Sequence, residues 1–180
     1  MVRLFAAIDF PPEIQERLRK PQEILKQSRA RISLVDPAII HMTLKFIGEV
    51  PPEQAERIRE ILGTISTEAF ALRVSGIGSN NPRQPRVIWC TIDDGGRSTL
   101  LHDRIEAVLE PLGIPREDRP FRAHATLARV KQYDPSLTAR LREIPSENYG
   151  TWTVRSWQLK RSTLTPQGPL YETLLEVPCR

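Results

Sequence analysis

The chain has 180 residues and three histidines, His41, His102 and His124. Two of them open the same tetrapeptide, His41-Met42-Thr43-Leu44 and His124-Ala125-Thr126-Leu127. With this content of Thr and Leu, two such hits among three histidines arise by chance about once in 7,000 chains, so the doubling marks a duplicated half-site. Alternate residues of a β-strand share a face. On that period His41, Thr43 and Lys45 point one way, and Ile40, Met42, Leu44 and Phe46 the other. Arg122, His124 and Thr126 likewise oppose Ala123, Ala125 and Leu127. Each strand then buries an apolar face and presents an imidazole and a hydroxyl on the other. Two imidazoles near neutral pKa can serve as the base and the acid of one displacement. Two threonine hydroxyls, with Lys45 and Arg122 beside them, can hold the non-bridging oxygens of a phosphate and offset the charge that builds there. Neither motif contains Cys, Asp or Glu, and two imidazoles alone make a poor metal site. The expected chemistry is in-line attack on a phosphodiester, with no metal and no cofactor. Trp89, in VIWC beside the loop SNNPRQPR, is a candidate for stacking on a base. His102 has no partner motif and reads as structural.

The elements that must position these groups alternate along the chain. Apolar runs predict strands over 3–10, 38–47, 70–77, 86–92, 121–130, 152–162 and 170–177. Pro11-Pro12 and Pro51-Pro52 open helices, the first striped by Ile14, Leu18 and Leu25, the second by Ala55, Ile58, Ile61 and Leu62. Pro21 falls inside the first stripe and predicts a kink or break there. A third helix carries Leu101, Ile105 and Val108 and stops near Gly113, and Asp134-Pro135 caps a short fourth. Helical crossovers mixed with hairpin turns predict an α+β fold with largely antiparallel sheets. No Gly-rich phosphate loop and no solenoid repeat is present.

Composition narrows the setting. Hydrophobic residues are 39% and charged residues 27%, which fits a soluble globular chain able to bury a real core. The formal net charge of +4 is compatible with a polyanionic partner, yet no run of five like charges exists, so any nucleic acid must meet a folded cleft. Two cysteines cannot build a disulfide framework, which points to a reducing compartment. The apolar stretch near the N-terminus is too short to span a bilayer. A cytoplasmic protein with no membrane association is expected.

The sequence resembles the two-histidine phosphoesterase superfamily, and within it the RNA 2′,3′-cyclic phosphodiesterases, also called 2′-5′ RNA ligases. RLFAAIDFP is similar to the family's opening strand, HMTLKFIGEV to its first motif and PFRAHATLAR to its second. LKRSTLTPQGPLYETL is similar to its C-terminal signature, with Ser162 and Tyr171 among the matched positions. The resemblance implies one bilobal domain over 1–180, made of two pseudo-symmetric lobes with outer helices and a groove between them. It implies hydrolysis of a 2′,3′-cyclic phosphate at RNA 3′ ends, tRNA fragments among them, to a 2′-phosphate by a monomeric enzyme, with 2′-5′ ligation as a reverse activity. It also implies that His41 is the acid and His124 the base, an order that two motifs of equal composition leave open. Ser162, Tyr171 and Arg129 are implied as substrate contacts, although Arg129 has the opposite strand parity from His124. A phosphodiesterase of small cyclic nucleotides, or a non-catalytic RNA-binding module of the same fold, are the competing readings.

Overall fold

The computed structural model describes residues 1–180. The elements run β1 (Val2–Asp9), α1 (Pro12–Lys26), β2 (Arg31–Leu34), β3 (His41–Val50), α2 (Pro52–Leu62), β4 (Phe70–Ser79), β5 (Val87–Asp93), α3 (Arg97–Leu109), β6 (His124–Gln132), α4 (Pro135–Glu143), β7 (Gly150–Val154), β8 (Ser156–Thr165) and β9 (Gly168–Pro178). They form a four-stranded sheet in the order β3-β1-β8-β9 and a five-stranded sheet in the order β2-β6-β5-β4-β7. Every strand pair is antiparallel, as the mixed connections predict.

Two strand readings change. The run at 152–162 is not one strand: β7 ends at Val154 in the second sheet, and β8 starts at Ser156 in the first. Val154 and Trp157 are both buried, so the alternation breaks where the chain changes sheets. The four-residue β2 is an addition, because so short a strand carries almost no periodic signal.

The helices are exchanged between the sheets. α1 follows β1 of the first sheet but packs on α4 and against β6 of the second. α3 follows β5 of the second sheet but packs on α2 and against β3 of the first. Neither lobe is therefore a continuous piece of chain, and a single cluster of 35 buried apolar residues draws on both sheets.

Local chemistry explains the helix limits. Pro12 opens α1, where a missing N–H costs nothing. Asp134 caps α4 by accepting the Ser136 backbone N–H at 2.9 Å. The break expected at Pro21 does not occur, and α1 runs unbroken to Lys26. Pro21 is itself buried on the Ile14-Leu18-Leu25 face. Burying each of those leucines contributes roughly 1.5–3 kcal/mol, which offsets the loss of about 3 kcal/mol that an internal proline brings. At the start of β7, Gly150 has φ +140, and a Cβ there would lie 2.1 Å from Ile14 Cδ1. Only glycine lets this edge strand approach α1 so closely.

Candidate active site

The motif strands of the two half-sites meet at the junction of the sheets, where β3 lies against β6. There a cleft of about 510 Å³ is lined by His41, Thr43, His124 and Thr126 together. The two His-x-Thr pairs, far apart in sequence, share one cavity. Arg129 and Tyr171 also line it.

Strict alternation fails at the same place in both strands. On β1, Ala6 pairs with Lys45 and Ala7 with Thr43, so Leu44 is an extra residue in β3. On β5, Ile88 pairs with Ala128 and Trp89 with Thr126, so Leu127 is the extra residue in β6. Such a β-bulge reverses the faces of the side chains that follow it, in β3 until a second irregularity at Ile47. After the bulge, Phe46 and Arg129 join the His-Thr face and line the cleft. The parity objection to Arg129 is removed, and the assignment of Phe46 to the apolar face is corrected.

The same reversal corrects Lys45. It does not share the cleft face but is 3% exposed, with Nζ 2.5 Å from Glu106 and donating to the Pro115 carbonyl at 2.8 Å. Glu106 is 4% exposed and also accepts the Glu117 backbone N–H at 3.2 Å. Lys45 is thus part of a buried ion pair rather than a substrate contact. Lys45→Met leaves the Glu106 carboxylate buried without a cation, and is expected to lower the unfolding free energy by about 3–5 kcal/mol. Adding Glu106→Leu should recover most of that loss in urea titrations. A single variant as stable as the parent protein would show that the pair carries no stability.

Both catalytic-type imidazoles are oriented in the same way. His41 Nδ1 donates to the Ile39 carbonyl at 2.8 Å, and His124 Nδ1 donates to the Arg122 carbonyl at 2.7 Å. A carbonyl can only accept, so each neutral ring carries its proton on Nδ1 and leaves Nε2 free. Arg122 therefore contributes its backbone: it precedes β6, its side chain is exposed and it does not line the cleft. His41 packs against Phe5 and the edge of Tyr171, with ring centroids 5.1 and 5.3 Å away. Burial lowers its pKa below the ordinary imidazole value. The Ile39 hydrogen bond and Asp9 oppose that shift, and Lys160 adds to it. Lys160 donates to Asp9 at 2.6 Å, so the two charges act on His41 as a pair. Burial also raises the Tyr171 pKa, opposed by Arg129 and Arg3.

Two further candidates lie outside the lining of the cleft. Ser162 pairs with Tyr171 across β8–β9 but opens on a separate depression with Arg3 and Glu49. Trp89 is half-buried, pairs with Thr126 across β5–β6 and packs its ring 4.8 Å from that of His124, and it is not among the residues that line the cleft. It packs beside the His124 imidazole. Residues that the sequence reading missed include Asp36 and Val35 beyond β2, and Gln167 and Leu170 at the β8–β9 turn. For Gln167 and Leu170 the sequence signal is the TPQGP turn, which fixes a hairpin but not the surface it overhangs. No three His, Cys, Asp or Glu side chains cluster closely enough to hold a metal ion. No helix is long and apolar enough to cross a membrane.

The LigT like Phosphoesterase family profile matches residues 8–89 and 94–171. The chain belongs to this family. It is 38% identical to an RNA 2′,3′-cyclic phosphodiesterase of Archaeoglobus fulgidus, over 96% of this chain and 98% of that one. It is 36% identical to a protein of the same name from Aeropyrum pernix, over 89% and 94%. Among LigT-type structures, the Escherichia coli LigT complex with 3′-AMP superposes with a TM-score of 0.83 at 25% identity, covering 99% of this chain and 98% of that one. The Thermus thermophilus protein TT0787 superposes with a TM-score of 0.82 at 31% identity, over 99% and 98%. The two family-matched segments divide the chain between the two His-x-Thr-Leu motifs, one in each.

Proposed function

We propose that this LigT-like phosphoesterase is an RNA 2′,3′-cyclic phosphodiesterase that leaves a 2′-phosphomonoester, working without a metal. The observation that carries the reading is the pair of His-Thr half-sites lining one cleft. The names of the 38% and 36% identical relatives support the substrate class. With Nδ1 of each histidine engaged by a carbonyl, Nε2 is the atom left for proton transfer. His124 takes a proton from water as the water oxygen bonds to phosphorus. The bond from phosphorus to the 3′ oxygen breaks in line, and His41 protonates that oxygen. The phosphate stays on the 2′ oxygen. Thr43, Thr126 and Arg129 hold the non-bridging oxygens, and Tyr171 borders the sugar side. A 5′-hydroxyl in place of water yields a 2′-5′ linkage by the same steps, which is the ligation that the family resemblance implies. We further propose that the chain acts as a monomer in the cytoplasm on RNA ends, with tRNA fragments among the substrates.

The test is turnover of an oligoribonucleotide ending in a 2′,3′-cyclic phosphate, with chelator present, beside a cyclic mononucleotide. Turnover of the oligonucleotide with a higher kcat/KM is expected. Loss of activity to chelator would remove the metal-free mechanism, and preference for the mononucleotide would favour a small-nucleotide enzyme.

The pH profile follows from the His41 environment. The acid must be protonated, and burial holds the His41 pKa below 6.5. For the free enzyme, kcat/KM should then be bell-shaped, with limbs that belong to the two histidines as a pair. Asp9 raises the His41 pKa, so Asp9→Asn should move one limb of the bell to lower pH. A bell whose two limbs both ignore Asp9→Asn would take His41 out of the profile.

A further inference from the structure

Both cleft strands carry a bulge at the same motif position, and in both a buried helix side chain grips it. The carbonyl of Leu44 accepts a hydrogen bond from His102 Nδ1 at 2.7 Å. The carbonyl of Leu127 accepts one from Gln22 Nε2 at 3.1 Å. His102 is 5% exposed and Gln22 is 3% exposed, so neither bond competes with bulk water. The second amide proton of Gln22 goes to the Val35 carbonyl at 2.7 Å, and the Val35 N–H also reaches Leu127 O at 2.9 Å. The His102 ring is held in turn by Phe121, stacked 4.6 Å away and three residues before His124. One turn further along α3, Glu106 takes the ammonium of Lys45, the residue just after the bulge.

The pairing is not what simple packing would produce. His102 and Gln22 differ in type and sit on helices that follow different strands, yet each reaches the same backbone atom of the equivalent residue. What that atom controls is the face of the residues just after the bulge, Phe46 in β3 and Arg129 in β6. A strand that slipped back to regular alternation would carry Phe46 and Arg129 off the cleft.

We infer that His102 and Gln22 are positioning residues, which latch the two bulges and so keep Phe46 and Arg129 on the same face as the His-Thr pairs. This rests on the reading of the cleft as the phosphodiesterase site. Neither residue touches the cleft itself, so each acts through the backbone it holds.

Steady-state kinetics on the cyclic-phosphate oligonucleotide, joined to amide hydrogen exchange, tests the latch. Gln22→Met is expected to lower kcat/KM about tenfold or more, the scale of a buried hydrogen bond lost with its partner left unpaired. That loss should vanish in an Arg129→Ala background, because the arginine through which Gln22 acts is already gone. His102→Leu should show a similar loss, and His102→Asn, whose amide N–H lies near the place of Nδ1, should regain most of it. Exchange should quicken at 43–46 in His102→Leu and at 126–129 in Gln22→Met. Gln22→Asn keeps the amide but withdraws it by one methylene, and serves where Gln22→Met does not fold. Folded variants with kcat/KM within about twofold of the parent, or a Gln22 loss that multiplies fully with Arg129→Ala, would reduce both residues to core packing. If the parent protein does not cleave the oligonucleotide, the catalytic reading fails and exchange alone decides the latch: unchanged rates at both bulges overturn it.

Discussion

His41→Ala and His124→Ala are each expected to lower turnover of the cyclic-phosphate oligonucleotide at least about a hundredfold, the lower range for loss of a general acid or base. The two rings line one cleft, and each is aimed by its own carbonyl, of Ile39 and of Arg122. In the proposed mechanism they serve one displacement, with one proton taken and one delivered. The double variant should therefore be far less impaired than the product of the single losses. Single-turnover rates on variants whose circular dichroism matches the parent separate chemistry from folding. His41 is the more exposed to a folding artefact, because it packs on Phe5 and Tyr171. His41→Gln keeps more of that volume and should be equally inactive. Near-parental turnover in a folded variant at either position would take that histidine out of the mechanism.

Thr43→Val and Thr126→Val carry the second large effect. Each exchange removes a hydroxyl at nearly constant shape, on a half-buried strand position that faces the cleft. Valine is at least as good a strand former, so stability should change little. Losing one donor to a developing oxyanion typically costs about 3 kcal/mol, or roughly a hundredfold in turnover. The loss should fall on kcat more than on KM, because the charge on the phosphate oxygens grows toward the transition state. Valine variants that fold and turn over normally would make the threonines strand formers and leave phosphate binding to Arg129 alone.

Much of the site is legible in the sequence because its two His-Thr pairs obey a local rule. His41 and Thr43, like His124 and Thr126, are two apart on a strand, and period-2 geometry places them on one face whatever surrounds them. Local rules also yield the proline-led helix starts, the Asp134 cap and the antiparallel class. They fail where they are carried past a structural event. Period-2 geometry puts Lys45 and Phe46 on the wrong faces because a bulge at Leu44 cannot be seen in a hydrophobic pattern. Arg129 looks mis-set for the same reason. Pro21 carries its intrinsic cost in any local reading, without the buried face that offsets it.

The sequence by itself determined the reactive groups, their duplication and the strand faces that present them, since covalent spacing and the pleat are properties of a short segment. Only the tertiary structure decided that both half-sites line one cavity, with α1 and α3 each laid on the sheet they do not follow in the chain. It also decided that Lys45 is an ion-pair residue beneath that cavity while Arg129 is a cation within it. The reason is that a bulge is settled between strands and helices far apart in sequence. Leu44 is held by a histidine 58 positions away and Leu127 by a glutamine 105 positions away, so no window of the chain contains both partners.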